Sequence, residues 1–236
     1  HTPTVYMPQM TAREVKRFLA RFPGLIYRHR CVFLVRAVGG PHLLEQTLNS
    51  LNYLHRPPAF ADLLIFSLDG HPETLNWLEK RQMTYFKAGG LKCFEDILFL
   101  PQQLQAQYVL SIDAGILPAA NFVASLLPFL AHPRVGMVSG LMNSVRGPQR
   151  LPFTGSTLAE LQQQWGVHNE QVPFQQVSLL NDGALMIRKS VLEYVLKTFP
   201  DTKPLTSDYQ MSHLLSTMGY HHFLSRRTVA FNTLPY

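Results

Sequence analysis

Asp69 and Asp113 each close a short apolar run, and each is followed by glycine within two residues. The runs are Leu64-Ile65-Phe66-Ser67-Leu68 and Val109-Leu110-Ser111-Ile112, β-prone and uncharged until the acid arrives. Strands of this kind are buried on both faces of a parallel sheet and deliver their last residue to its carboxyl edge. Ligands of open α/β sheets bind at that edge. A carboxylate there can hold Mg²⁺ or Mn²⁺ against a diphosphate. One such Asp also reads as a turn cap, because Asp is common in turns. Two in the same topological place favour a site. A metal-binding Asp-x-Asp would carry its second acid at 115, where this chain has Gly115.

Other residues bear on the same chemistry. Arg36 ends a strand that leads into Gly39-Gly40, a pair that lets backbone amides approach a ligand closely. Neither Gly-x-Gly-x-x-Gly nor a Walker sequence occurs. Asn181-Asp182-Gly183 is good turn chemistry ahead of another apolar run. Asp208 follows Ser207, and Ser207 with Gln210 fits a capping box. The same Asp208 could act as a general base toward a sugar hydroxyl. His213, His221 and His222 lack zinc spacing, although His221 or His222 could give one ligand to a metal held elsewhere. Arg226-Arg227 could offset diphosphate charge or lie on the surface. Of Trp77 and Trp165, the second sits beside Gln162-Gln163-Gln164 and is the better candidate for a cleft.

The elements that must position these residues alternate. Strands are expected over 31–36, 63–68, 83–86 and 108–113, separated by helices near 44–54, 73–81 and 94–105. This β-α-β-α-β-α-β order implies a mostly parallel central sheet with helices on both faces. The second half is less regular. Helices are expected over 121–131, 158–165, 191–198 (Ser190 as N-cap) and 207–218. Strands are expected over 135–139 and 183–188, a loop over 143–155, and a small late β element from strands 221–224 and 228–231. An amphipathic helix over 11–22 ends at Pro23-Gly24.

Composition sets limits. With 236 residues, 46% hydrophobic and 15% charged, the chain has a substantial core and reads as one α/β domain. A net charge of +6 suits an anionic ligand, yet no basic stripe with interleaved aromatics argues for nucleic acid. Two cysteines, Cys31 and Cys93, make no disulfide framework, and Cys31 reads as a buried hydrophobe. The longest apolar stretch, 122–131, holds Pro128 and is far short of the ~20 residues of a membrane span. Because the first residue is His1, the chain reads as a domain cut from a longer protein.

The order of these pieces resembles the family 2 glycosyltransferases of GT-A fold, in the nucleotide-diphospho-sugar transferase superfamily. The pieces are the 32–50 strand, loop and helix with Leu48-Asn49-Ser50-Leu51; Ile65 to Gly70 with its terminal Asp69; Gly89-Gly90; the Asp113 strand with Pro118; Gly183-Ala184 with Arg188-Lys189; and Ser207-Asp208-Tyr209-Gln210-Met211 followed by Gly219-Tyr220. The likeness covers roughly 31–231 and implies a single Rossmann-like GT-A domain over 31–236, with 1–30 as a helical extension. It implies inverting transfer of a hexosyl or related sugar from a nucleotide diphosphate sugar, with Asp208 as base. It implies nucleotide-sugar contacts from Arg36, Ala37, Asp69, Lys92, Asp113, Ala114, Gly183 and Arg226. Acceptor contacts fall to Asp182 and Trp165, and Mg²⁺ or Mn²⁺ to Asp113 and His222. The acceptor would be a glycan, a lipid-linked molecule or a protein. The place of work would be the cytoplasmic or lumenal face of a membrane, for an intrinsically soluble domain. The Gln-x-x-Arg-Trp motif of processive synthases is absent, so single or limited transfer is expected. Gly115 keeps a second reading open, a weak or inactive domain that serves assembly or acceptor binding in a larger enzyme. A nucleotidyltransferase would want a Gly-rich, Arg-containing loop after the first strand, and Val38-Gly39-Gly40-Pro41 matches this poorly.

Overall fold

A computed structural model describes residues 13, 31–54, 63–87, 106–144, 174–178, 180, 183–198 and 208–234. The expected elements at 11–22, 94–105 and 158–165 lie outside the described residues. Four strands come first: β1 (Cys31–Ala37), β2 (Leu63–Ser67), β3 (Tyr85–Lys87) and β4 (Tyr108–Asp113). They are followed by β5 (Ile116–Pro118), β6 (Val135–Ser144), β7 (Phe174–Val177), β8 (Ala184–Arg188) and β9 (His221–Asn232). The helices are α1 (Pro41–Leu51), α2 (Pro72–Lys80), α3 (Phe122–Leu130), α4 (Lys189–Thr198) and α5 (Asp208–Thr217).

The strands form one sheet in the order β3-β2-β1-β4-β8-β6-β9-β5, with β7 on β9. The first four strands are mutually parallel, and β6 is parallel to β9. β8 runs antiparallel between β4 and β6, while β5 and β7 run antiparallel to β9. Thus β1–β4, β6 and β9 point one way and β5, β7 and β8 the other. The chain builds outward from β1 to β2 and β3, then returns to place β4 on the other side of β1. That reversal creates a switch point between β1 and β4.

Alternation along β1 divides the core in two. Phe33, Val35 and Ala37 pack with Leu44 and Leu51 of α1, Leu78 of α2 and Phe122 of α3. Val32 and Leu34 face the other way, toward Val191, Leu192 and Val195 of α4 and Met211 and Leu215 of α5. Helices therefore cover both faces of a mostly parallel sheet. Cys31 is fully buried, and burial pushes its thiol up, out of the reactive range.

Three expectations change. The late β element is one long strand, β9, not two: its pairing to β6 jumps from Ser225 to Val229, so residues 226–228 bulge out of the ladder without ending it. β6 extends to Ser144, into the expected loop. Ser190 lies inside α4, which starts at Lys189, so it is not the N-cap. Among the described residues, no helix is long and apolar enough to cross a membrane.

Candidate functional site

Arg36 belongs to the same alternating set as Val32 and Leu34, and Asp113 to the set of Val109 and Ser111. Register makes Arg36 and Asp113 direct partners at the carboxyl ends of β1 and β4. Both side chains therefore rise on the α5 face at the switch point. In α5 the buried positions Asp208, Met211, Ser212 and Leu215 recur at helical spacing, which turns Asp208 toward the sheet. The three charges meet. Arg36 Nη1 and Nη2 donate to the two oxygens of Asp208 at 2.9 and 3.0 Å. Arg36 Nε forms an ion pair with Asp113 Oδ1 at 2.6 Å. Arg36 and Asp208 are buried, while Asp113 remains 41% exposed.

The electrostatics follow from this crowding. Burial raises the proton affinity of Asp113, the Arg36 guanidinium opposes that, and the Asp208 charge adds to it; the balance lies above the ordinary carboxylate value. Asp69 moves the other way. Slight burial raises it, but the N–H groups of Gly39 and His71 donate to its oxygens at 2.7 and 3.2 Å and leave it below the usual value. Asp69 thereby ties the loop after β2 to the Gly39-Gly40 loop after β1. Ala37 and Ala114 contribute backbone: Leu68 N–H donates to Ala37 C=O and Ala114 N–H donates to Arg36 C=O, both at 2.9 Å. The ends of β1, β2 and β4 are thus locked into one rim.

Two glycines shape the floor. Gly115 has φ +96°, and a Cβ there would lie 2.8 Å from Leu234 Cδ2. Its N–H donates to Thr47 Oγ1, and its C=O accepts from the Thr233 N–H and hydroxyl. The place of a second acid is filled by Leu234. Gly183 has φ +69°, and a Cβ there would lie 2.8 Å from Asp113 Oδ2. Its C=O accepts from Asp113 N–H at 2.7 Å, and its left-handed φ favours glycine there.

Not every expected residue joins the cluster. Arg226 lies in the β9 bulge, three strand spacings or roughly 14 Å from β4, and its Nη2 donates to Gln175 Oε1. His222, expected beside the metal, also lies away from the cluster. It is fully buried near the amino end of β6, its Nδ1 accepts from Met137 N–H, and its Nε2 bonds Ser212 C=O. Desolvation lowers it to about 4, leaving a neutral ring with both nitrogens occupied. Its ring nitrogens are engaged by the backbone of Met137 and Ser212, away from the Asp113 cluster. Lys92, Trp165 and Asp182 lie outside the described residues. Sequence reasoning missed Thr47, Thr233 and Leu234, which brace Gly115 from α1 and the segment after β9. No local motif marks them, because they act through long-range contacts.

No family model and no curated protein sequence matches the chain. Solved structures do. The mannosyltransferase PcManGT from Pyrobaculum calidifontis, in complex with GDP-Man and Mn²⁺, superposes with a TM-score of 0.58 at 18% identity over 94% of this chain and 63% of its own. GalNAc-T7 with UDP, GalNAc and Mn²⁺ gives 0.58 at 13% identity, over 87% of this chain and 43% of its own.

The chain has the GT-A fold.

It spans less than two thirds of the length of either of these GT-A proteins. Among the described residues of this GT-A domain, the donor set at the switch point does not suit a divalent ion. Both Asp208 oxygens and Asp113 Oδ1 already face a guanidinium. Asp113 Oδ2 is the one remaining oxygen of the pair, Gly115 offers no second acid, and His222 is committed elsewhere. Among the described residues, no group of three or more His, Cys, Asp or Glu side chains could hold a metal ion.

Proposed function

We propose that this GT-A domain, with 31–236 as its working unit and 1–30 as an extension, binds a nucleotide diphosphate sugar at the β1/β4 edge. It transfers the sugar to an acceptor hydroxyl with inversion. The observation that carries the reading is the convergence of Arg36, Asp113 and Asp208 at the switch point, beside the Asp69–Gly39 latch. That is where an α/β sheet receives a nucleotide. Asp69 and the rim backbone would contact the nucleotide, and Asp113 the sugar-diphosphate side. Asp208 would accept the acceptor's proton as its oxygen attacks the anomeric carbon and the nucleoside diphosphate leaves. A carboxylate has about four lone-pair sites, so the fork to Arg36 leaves Asp208 able to accept a proton. The Mg²⁺ or Mn²⁺ expected at Asp113 has poor support in the donor set. The leaving diphosphate would instead meet backbone N–H groups and basic side chains such as Lys92. The sugar class, the acceptor (glycan, lipid-linked or protein) and work at a cytoplasmic or lumenal membrane face belong to the same proposal.

Calorimetric titration with UDP, GDP and dTDP, with and without Mn²⁺, is the test. Binding of one of them, lost in Asp69→Ala, is the expected result; no binding by any rejects the reading. One observation favours a second reading. Asp208 is buried, and both of its oxygens are held by the Arg36 guanidinium. A domain that binds nucleotide but transfers nothing to any acceptor would serve assembly within a larger glycan-synthesis protein.

A further inference from the structure

We infer that Arg36 is a built-in counter-cation that occupies the place of a divalent ion between Asp113 and Asp208. Three features carry this. The guanidinium lies between the strand-end acid and the helix-start acid, within 2.6 to 3.0 Å of three of their four oxygens. It reaches them by construction: register pairs Arg36 with Asp113, and the buried line of α5 aims Asp208 at the same point. The geometry uses the planar fork of Arg, which matches a carboxylate bidentately as an ammonium cannot. An ion bound to these oxygens would have to sit beside a buried guanidinium or expel it, and neither arrangement is favourable. Gly115 fits the same picture, since its would-be side chain meets Leu234 where a further ligand would have to stand.

The consequence for the donor, metal-independent binding of the nucleotide, rests on the proposed function; the cation claim does not. Removing the guanidinium should turn the two acids into a divalent site. The experiment is a nucleotide-free Mn²⁺ titration of the whole chain, followed by electron paramagnetic resonance. Wild type should show no Asp113-dependent site tighter than about 1 mM. Arg36→Ala should bind Mn²⁺ at least about tenfold more tightly, and Asp113→Asn in that background should abolish the gain. Tight Mn²⁺ binding by wild type that Asp113→Asn removes overturns the inference, as does a folded Arg36→Ala protein without Mn²⁺ affinity. If Arg36→Ala does not fold, the wild-type and Asp113→Asn pair still decides. Nucleoside diphosphate titrations in chelator and in Mn²⁺ separate the two claims. Equal affinity supports the counter-cation, and a gain above about tenfold with Mn²⁺ rejects it while leaving the nucleotide reading intact. Failure to bind any nucleotide rejects that reading and leaves the Mn²⁺ result standing.

Discussion

Arg36 and Asp113 are register partners on adjacent parallel strands, and Arg36 Nε lies 2.6 Å from Asp113 Oδ1 while its terminal nitrogens hold Asp208. A β-strand residue, its neighbour on the next strand and the first residue of a helix 172 positions away are thereby joined in one charge cluster. The cluster carries two negative charges and one positive. Its chemistry and its contribution to stability both turn on the guanidinium.

Arg36→Met should destabilise the fold by about 3–5 kcal/mol, because it leaves Asp208 buried without a counter-charge. Adding Asp208→Asn should restore much of that loss, since a buried amide is far cheaper than an unpaired carboxylate. Denaturant unfolding of the two single variants and the double variant measures the coupling. Additive losses would mean that the fork contributes no net interaction.

Gly115→Asp should not rebuild an Asp-x-Asp site. The position has φ +96°, and the new Cβ would meet Leu234 Cδ2 at 2.8 Å. The expected cost is about 1–3 kcal/mol of backbone strain, with no gain in Mn²⁺ affinity. Pairing it with Leu234→Ala should remove the clash but not the strain. Thermal melts with and without Mn²⁺ show whether the variant is merely weakened or has acquired a metal.

The two buried strands that lead to Asp69 and Asp113, the sheet edge those acids share and the alternation that divides the core were legible in the sequence. So was the face of Arg36, which shares the parity of Val32 and Leu34. Its partner was not, because strand order and register are set by contacts far apart in the chain. The direction of β8 was equally hidden: Ala184–Arg188 is apolar enough for either orientation between β4 and β6. Arg226-Arg227 looked like a break between strands, since nothing local shows that Gly140 and Leu141 tolerate a bulge opposite them. His222 read as a possible ligand because its type is visible and its two backbone partners, Met137 and Ser212, are not.

His222 should make the fold sensitive to mild acid. Its folded value is lowered from 6.5 to about 4 by desolvation, so the unfolded chain binds the proton first as pH falls. Stability is therefore fully present above about 6.5 and is lost progressively down to about 4, by an amount on the order of 3 kcal/mol. His222→Gln should be less stable at pH 7 but flatter across that window. An unchanged slope in the variant would assign the acid sensitivity to other groups.

Asp208→Asn separates the two functional readings. The amide keeps the size of the carboxylate but accepts from Arg36 through one oxygen only, so stability should fall, while Asp113 still holds Arg36 Nε and nucleoside diphosphate affinity should change less than turnover. It cannot take a proton from an attacking hydroxyl, so transfer should fall by about 10²–10⁴-fold if Asp208 is the base. Asp113→Asn should behave differently. Arg36 would lose its ion pair with the strand-end acid, so donor affinity should fall together with turnover. Full transfer activity in Asp208→Asn would make Asp208 a structural partner of Arg36 alone. Nucleotide binding without transfer in the wild type would mark the domain as a binding module in which Arg36 holds the base position shut.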